Sequence, residues 1–331
     1  MEKFSQIEQL FHVLDDTAKA LQEELDCSYL EALAETGENL FHGSVIQEEL
    51  SEITKKRLNK EYQNIVLSKY SSEELRKAFQ LAILKGMKEN IQPNHQMTPD
   101  TIGMFVSYLV EKFMEGKQSF SLLDPAVGTG NLLFTILNQL KGKKIQAYGV
   151  DIDDILIKLA YVGANLQEHS VELFNQDSLQ PLFVDPVDMV VSDLPVGYYP
   201  NDARAADYEM KADSGHTYAH HLFIEQSVRH LSPGGYGFFL VPNNLFESEQ
   251  SQILHKFIKK HCIIQGVIQL PISIFKKEKA AKSIFIIQKK GTETTPPKNV
   301  LLVQLPKFSD QAGMSNILQK IDQWFVDEKR K

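Results

Sequence analysis

The sequence predicts an α/β fold in which helices cover both faces of a mostly parallel sheet, preceded by a separate helical segment. From about residue 96 onward, short apolar runs alternate with amphipathic stretches of helical length, which is typical of strands joined by crossover helices. Residues 1–95 contain a single proline and few strand-like runs. The 331 residues also suffice for two domains, since a domain has roughly 150 residues.

Residues 1–95 are predicted to form an N-terminal helical domain. Leucines recur at near-helical spacing among acidic residues between positions 21 and 33. Residues 71–74, Ser-Ser-Glu-Glu, are typical of a capped helix start, and an apolar face follows them. We expect these helices to pack on the main domain or on a second copy of the chain. They would then assemble a homodimer or bind a specificity partner.

Residues 96–331 are predicted to form the second domain. Its predicted strands are the apolar runs 120–123, 145–150, 171–174, 187–192, 236–241, 263–270 and 283–288. Helical patterns fill the gaps at 99–115, 131–141, 153–166, 217–231 and 248–260. No helix separates the last two runs, so we expect a hairpin that places one antiparallel strand in the sheet. A short strand at 300–304 and a final helix follow.

Composition excludes several classes of protein. Hydrophobic residues make up 43% and charged residues 24% of the chain, as in soluble globular proteins. No apolar run approaches the ~18 residues of a membrane span, and the N-terminus lacks the pattern of a secretory signal. Cys27 and Cys262 cannot form a thiolate metal site unaided, and no metal is expected. Two cysteines suit a reducing cytoplasm, where we expect the protein to act.

Charge is distributed unevenly along the chain. The net charge is −8, yet residues 255–331 carry 15 Lys and Arg against 6 Asp and Glu. The chain as a whole would repel a polyanion, and only its last quarter offers a basic surface. Candidate phosphate contacts on this surface are Lys276, Lys277, Lys279 and Lys282. A solvated basic face is the alternative interpretation.

The most informative stretch is a strand that ends in Asp-Pro, continues through a Gly-Thr-Gly turn and enters a helix at 122–133. Glycines permit positive φ and close approach of a ligand, and the amides of the helix start face that ligand. A dinucleotide fingerprint requires a third glycine where Leu133 stands. The carboxylate of Asp124 would repel a phosphate and suits a cationic group, such as the ammonium of an amino acid.

The next two strands also end in polar residues. Asp151 follows the second apolar run, about 20 residues past the glycine turn, where a carboxylate can accept hydrogen bonds from a ribose diol. Asp153 is better placed to cap the following helix. Asp177 and Ser178 follow the third run, where an adenine amino group could be held, although Asp177 alone would more often be a loop residue.

Together these spacings resemble the class I S-adenosylmethionine-dependent methyltransferases. The resemblance is greatest to the adenine-N6 DNA methyltransferases, particularly the modification subunit of type I restriction systems, and it covers about residues 94–290. It implies a Rossmann-like fold with a seven-stranded, mostly parallel sheet, S-adenosylmethionine as cofactor, and a bacterial source. The cofactor-binding residues that it implies are Thr98, Pro99, Asp124, Pro125, Ala126, Gly128, Gly130, Asn131, Asp151, Ile152, Asp177 and Ser178.

Residues 94–99, Asn-His-Gln-Met-Thr-Pro, resemble the family's Gln-x-Phe/Tyr-Thr-Pro motif, which touches the methionine end of the cofactor. Thr98 suits an N-cap and Pro99 suits the first helical position. Helix capping alone is the alternative role for this pair. Met97 stands where the family usually has an aromatic residue.

The stretch 192–200 resembles the family's catalytic Asn/Asp-Pro-Pro-Phe/Tyr motif. In that motif, a side-chain oxygen and a backbone carbonyl hold the protons of an exocyclic amine and direct its lone pair at the methyl group. The resemblance assigns these roles to Asp193 and the carbonyl of Leu194, followed by Pro195. Val196 replaces the aromatic residue that stacks on the flipped base, and Tyr198 or Tyr199, two or three residues further on, could stack instead. Residues 198–221 are predicted to form a mobile lid or substrate loop.

These residues predict methyl transfer to adenine N6 in DNA. The departures at Leu194 and Val196 leave two alternatives open. One is a methyltransferase that acts on RNA, protein or a small molecule. The other is a non-catalytic protein that binds the cofactor or serves in assembly. The sequence shows no obvious target-recognition domain, so sequence specificity would need a partner or would be weak.

Overall fold

A computed structural model of the chain describes residues 5–89, 97–275 and 277–329. The chain divides into two compact units. The first comprises Met1–Ser107, Val127–Lys141 and Gly149–Gln176, and the second comprises Tyr108–Ala126, Gly142–Tyr148 and Asp177–Lys331. The domain boundary predicted between residues 95 and 96 lies outside the described residues, and it stays a prediction.

The N-terminal segment is helical, as predicted. Its helices are α1 (Gln6–Leu25), α2 (Tyr29–His42), α3 (Glu52–Gln63) and α4 (Ser72–Glu89). The predicted start of α4 is confirmed, because the Glu74 amide donates to the Ser71 hydroxyl at 3.2 Å and the Ser71 amide donates to the Glu74 carboxylate at 2.8 Å. This reciprocal pair satisfies backbone donors that a helix start leaves open.

The remaining helices are α5 (Asp100–Phe113), α6 (Asn131–Gln139), α7 (Asp154–Leu166), α8 (Asp202–Ala205), α9 (Ala219–His230), α10 (Ser251–His261) and α11 (Gln311–Glu328). The strands are β1 (Ser119–Asp124), β2 (Lys144–Asp151), β3 (Val171–Asn175), β4 (Val187–Asp193), β5 (Leu231–Pro242), β6 (Cys262–Gln269), β7 (Lys282–Lys289) and β8 (Leu301–Gln304). No helix within the described ranges combines the length and apolarity that a membrane crossing requires.

The first unit has a core that the N-terminal helices share with α7. Leu14, Leu21 and Leu33 belong to the same buried cluster as Leu159 and Val162. The approach of α2 to α7 is close, since a Cβ atom on Gly37 would lie 2.2 Å from Cγ1 of Val162. The N-terminal helices therefore pack on a helix of the segment 96–331, which was one of the two arrangements predicted for them.

The strands of the described residues form one eight-stranded sheet in the order β3-β2-β1-β4-β5-β7-β6-β8. The predicted hairpin is confirmed, because β7 runs antiparallel to β6 and to β5. The predicted count of seven strands is one too few. The short strand expected at 300–304 joins the sheet as β8, which pairs in parallel with β6 from Gly266↔Leu301 onward.

Candidate active site

In the first unit, Gly128 and Gly130 give the turn before α6 a left-handed backbone, with φ of 53° and 79°. A Cβ atom on Gly128 would meet no atom within 4 Å, whereas one on Gly130 would lie 2.3 Å from the Phe134 ring. Gly130 thus closes the turn against its own helix. Gly128 leaves open space beside the backbone, where a ligand can approach.

Asp151 ends β2 and holds this turn. One carboxylate oxygen accepts the Gly128 amide at 2.8 Å, and the other accepts the Asp153 amide at 3.0 Å. Asp153 caps α7 by accepting the amides of Ile155 and Leu156, as predicted. The neighbouring Ile152 is 69% exposed, so the strand ends in a fixed carboxylate beside an open apolar side chain.

Thr98 and Asn131 are also joined in the first unit. The Asn131 side-chain amide donates to the Thr98 carbonyl at 2.9 Å, and its oxygen accepts a bond from Arg76 at 2.6 Å. Pro99 precedes α5, and its carbonyl accepts the Ile102 amide at 3.0 Å. The motif residues Asn94, His95 and Gln96 lie outside the described residues.

In the second unit, Asp124 is a buried carboxylate with 2% exposure. It accepts the Ser192 hydroxyl at 2.7 Å and the Ala126 amide at 3.1 Å. Because Ser192 precedes Asp193, this contact ties the end of β1 to the end of β4. The buried Ser178 hydroxyl donates to the Pro125 carbonyl, which fixes the segment after β3 against the residues that follow β1.

Asp177 orders the segment that follows Pro195. Its carboxylate accepts the Leu179 amide at 2.9 Å and the Tyr199 hydroxyl at 2.5 Å. Burial and the bond to this carboxylate raise the pKa of Tyr199, so the phenol keeps its proton at neutral pH. The structure thus shows a loop-positioning contact for Asp177, and the adenine contact inferred for it stays a prediction.

Asp193 lies at the carboxyl end of β4 and forms an ion pair with Lys282, the first residue of β7. Both groups are half-buried, with side-chain exposures of 19% and 23%. Leu194 is buried, and its amide donates to the Leu240 carbonyl of β5 at 3.3 Å. The backbone beside the predicted acceptor carboxylate is therefore held by the sheet.

Lys282 was predicted to contact phosphate on a basic surface, but in the structure it is paired with a carboxylate. It contacts Asp193, because the hairpin of β6 and β7 brings the start of β7 to the end of β5 opposite Pro242. Lys277 and Lys279 are exposed, as a phosphate-contacting surface requires. Lys276 lies outside the described residues.

An aromatic column follows Pro195. Tyr198 is 54% exposed, and its ring stacks on that of Tyr218 at 4.9 Å and 9°. Both hydroxyls contact the carboxylate of Glu249, at 3.1 and 3.3 Å. Tyr218 in turn stacks on His220 at 5.0 Å. The column gives the segment after Pro195 an accessible aromatic face, which Val196 cannot supply.

His220 and His221 lie in the first turn of α9, directly after Ala219, and are buried at 4% and 0% exposure. Within the described part of the chain, both ring nitrogens of His221 and Nδ1 of His220 have no hydrogen-bond partner. Burial lowers the pKa of His220 to about 4 and that of His221 to about 3, so both rings are neutral at pH 7. The described residues contain no cluster of three or more His, Cys, Asp or Glu that could hold a metal.

The segment predicted to be a mobile lid is anchored in its middle. Tyr208 is buried, and its hydroxyl donates to the Leu179 carbonyl at 2.9 Å. The buried carboxylate of Glu225 in α9 accepts the amides of Glu209 and Met210 at 2.9 and 2.8 Å. Exposed residues lie on both sides of these anchors, including 200–203 and 213–216.

Two family models match the chain. The family described as the YtxK N-terminal helical domain matches residues 8–87. The family described as N-6 DNA methylase matches residues 95–329. Residues 88–94 separate the two matches, which together extend over nearly all of the sequence.

Relatives of similar length are known. The chain is 53% identical over 321 residues to a Bacillus subtilis (strain 168) protein named "Uncharacterized protein YtxK", covering 97% of this chain and 98% of that one. It is 51% identical to a Listeria monocytogenes protein solved as a candidate class I S-adenosylmethionine-dependent methyltransferase, with a TM-score of 0.90 and coverage of 96% and 98%.

The same fold occurs at much lower sequence identity. A type I restriction-modification methyltransferase subunit from Streptococcus thermophilus superimposes with a TM-score of 0.68 at 18% identity, covering 96% of this chain and 74% of that one. A modification subunit of a type I restriction enzyme from Vibrio vulnificus YJ016 gives 0.66 at 17% identity, covering 87% and 64%. These likenesses concern the fold alone.

Proposed function

Because the chain belongs to the N-6 DNA methylase family, we propose that it transfers a methyl group from S-adenosylmethionine to an exocyclic amine of a nucleic acid base, with adenine N6 in DNA as the acceptor. The observation that carries the proposal is the position of Asp193. Its carboxylate is half-buried at the end of β4, directly before Leu194-Pro195, where the family's motif has its acceptor group.

The residues of the first unit fit the cofactor. Open space beside Gly128 admits a ligand to the backbone. The Asp151 carboxylate, which accepts the amides of Gly128 and Asp153, lies at a strand end where a carboxylate can hold ribose hydroxyls. The exposed side chain of Ile152 offers an apolar surface that suits the face of a purine. When bound, the cofactor supplies an electrophilic methyl group on a sulfonium.

The other predicted residues are proposed to complete cofactor binding. Asp124-Pro125-Ala126 leads directly along the chain into the glycine turn, and Asp177-Ser178 directly follows β3. Thr98 and Pro99 are proposed to line the methionine end, while Gly130 and Asn131 present the start of α6. Asp124 is proposed to interact with the ammonium of the methionine moiety.

At the methyl acceptor, the carboxylate of Asp193 and the carbonyl oxygen of Leu194 each accept a hydrogen bond from the exocyclic amine. This turns the lone pair, otherwise delocalised into the ring, toward the methyl group. Positive charge develops on the nitrogen during transfer, and the nearby carboxylate stabilises it. The surplus proton then leaves to solvent. The Tyr198–Tyr218 pair is proposed to stack on the extruded base.

The protein's partners follow from this assignment. DNA is the proposed substrate, with Lys277 and Lys279 among the candidate phosphate contacts. The N-terminal helices are proposed to recruit a specificity subunit or a second copy of the chain, in the cytoplasm. A second candidate function is transfer to an amine in RNA, protein or a small molecule. It is favoured by Val196 and by the ion pair between Asp193 and Lys282.

The test is transfer of labelled methyl groups to unmethylated DNA, RNA and protein extract. We expect the wild-type chain to label DNA and Asp193→Ala to reduce the rate about 100-fold or more, as loss of one transition-state acceptor does. Asp193→Asn retains an acceptor oxygen and should keep more activity than Asp193→Ala. Asp185→Ala removes an exposed carboxylate just before β4 and should leave the rate unchanged.

Two outcomes contradict the proposal in different ways. Equal labelling of DNA by the wild type and Asp193→Ala would remove Asp193 from the reaction. Labelling of RNA or protein without labelling of DNA would support methyltransferase activity but would contradict DNA as the methyl acceptor.

A further inference from the structure

We propose that Arg76, in helix α4 of the N-terminal segment, positions two parts of the cofactor site: the start of α6 and the segment before α5. The inference rests on the proposed function, because it takes S-adenosylmethionine as the ligand of these segments. Arg76 lies within residues 8–87, matched by the helical-domain family, and outside residues 95–329, matched by the methylase family. The helical segment would thereby contribute to cofactor binding in addition to any role in assembly.

Every donor of the Arg76 guanidinium is engaged. Nε and Nη2 donate to Glu73 at 2.8 and 2.7 Å, and Nη1 and Nη2 donate to Asp100 at 3.0 and 3.1 Å. The remaining Nη1 hydrogen goes to the side-chain oxygen of Asn131 at 2.6 Å. A guanidinium has five N–H donors in a fixed planar fork. With a side-chain exposure of 2%, Arg76 has no donor left for a ligand and acts only through its neighbours.

Asn131 is the first of these neighbours. It opens α6 directly after Gly130, at the turn proposed to receive the cofactor. Because its oxygen accepts from Arg76, its NH2 group is directed to the Thr98 carbonyl, which it reaches at 2.9 Å. Arg76 thereby sets the orientation of the amide that links the glycine turn to Thr98.

Asp100 is the second neighbour through which Arg76 acts. It is the first residue of α5, two positions after Thr98, and it also accepts the Gln80 side chain at 2.7 Å. Arg76 therefore holds Thr98 from both sides, through Asn131 and through Asp100. A guanidinium fork can bridge these groups at once, whereas a lysine ammonium presents a single point of charge.

The charges make the arrangement stable at neutral pH. Burial opposes ionisation of Glu73 and of Asp100, but their bonds to Arg76 outweigh it and lower the pKa of both carboxyls. Glu73 also accepts the Asn138 side chain of α6 at 3.2 Å. All three charged groups thus stay ionised in the pH range of a methyltransferase assay.

A structural role alone would affect only folding, so the test compares cofactor affinity with stability. The full-length chain is titrated with S-adenosylmethionine in a calorimeter, and Tm is recorded for each variant. The variants are Arg76→Gln, Arg76→Lys and the control Lys85→Met. Lys85 also lies in α4, and it pairs with Asp15, a residue with 7% exposure. The control thus disrupts a comparable ion pair away from Thr98 and Asn131.

We expect Arg76→Gln to weaken cofactor binding about tenfold or more, the effect of losing a bond between charged groups. The Kd of Arg76→Lys should lie between the values for Arg76→Gln and the wild type. Lys85→Met should lower Tm while its Kd stays within about twofold of wild type. If Arg76→Gln fails to fold, the test uses Arg76→Lys instead. A Kd for S-adenosylmethionine that is weaker in folded Arg76→Lys than in the wild type supports the inference, and an unchanged Kd contradicts it.

Wild-type affinity in a folded Arg76 variant would overturn the inference. Equal weakening by Lys85→Met would also overturn it, since affinity would then simply follow stability. A wild-type chain that binds no S-adenosylmethionine would instead overturn the proposed function on which the inference rests. The wild-type titration therefore separates the two failures.

Discussion

Gly128 and Gly130 share a left-handed backbone but differ in what a side chain would meet. We expect Gly128→Ala to cost roughly 1 kcal/mol, the strain of a β-carbon at positive φ. Gly130→Ala adds a collision with the Phe134 ring at 2.3 Å and should cost roughly 2 kcal/mol or more. Urea unfolding of both variants measures this difference, and equal losses of stability would contradict it.

The same pair of variants separates stability from cofactor binding. The methyl group of Gly128→Ala would occupy the open space beside the turn, so this folded variant should bind S-adenosylmethionine more weakly than wild type. Calorimetry on the folded variant is the measurement. Unchanged affinity would show that the ligand does not approach the backbone there.

The role of a single residue could be predicted from the sequence where its hydrogen-bond partners are close to it along the chain. Asp153 was assigned as a helix cap because it lies directly before a helical pattern, and it caps α7. The contact of Lys282 with Asp193 and that of Arg76 with Asn131 were not predicted, because the partners are distant along the chain. Lys282 contacts Asp193 across 89 residues, and Arg76 contacts Asn131 across 55. Only the register of the folded sheet and helices brings such pairs together.

At the scale of elements, the start of α9 should make the protein sensitive to acid. Burial lowers the pKa of His220 to about 4 and that of His221 to about 3, from 6.5 in the unfolded chain. As pH falls below 6.5, the unfolded chain binds protons that the folded chain excludes. The free energy of unfolding therefore has its full value, as far as these two histidines are concerned, above pH 6.5. It decreases as pH falls toward 4, by up to about 1.4 kcal/mol per pH unit for each histidine.

The free energy of unfolding, measured in urea at pH 7 and near pH 5, tests this expectation. His221→Phe removes one of the two groups and should flatten the dependence on pH. The substitution His42→Ala, at an exposed histidine outside α9, is measured alongside as the control. If the free energy of unfolding changed as much between pH 7 and pH 5 in His221→Phe as in the wild type, the assignment would be contradicted.

The elements themselves were largely predictable, since apolar runs and helical spacing marked the strands and helices of the sheet. The lid or substrate loop expected at 198–221 stays a prediction, but the anchoring of its middle was not predicted. Its polar composition suggested exposure, yet Tyr208 and Met210 are buried and Glu225 satisfies two of its backbone amides. A buried carboxylate that binds backbone cannot be distinguished from a surface one by composition alone.

On the scale of the whole molecule, the N-terminal helices should be required for folding. They share one buried cluster with Leu159, Val162 and Leu166 of α7. A fragment that starts at residue 97 would leave these side chains uncovered, at a cost of about 1.5–3 kcal/mol for each. We expect this fragment to be insoluble or unfolded by circular dichroism, whereas the full chain folds. A soluble, cooperatively folded fragment would contradict this expectation.

The central claim is that the glycine turn and the end of β2 bind S-adenosylmethionine, and calorimetry tests it most directly. Titration of the full-length chain should give saturable heat. Asp151→Ala, which removes the carboxylate proposed to hold the ribose, should weaken binding about tenfold or more. Absence of binding heat from the wild type, or superimposable titrations of the two proteins, would contradict the claim.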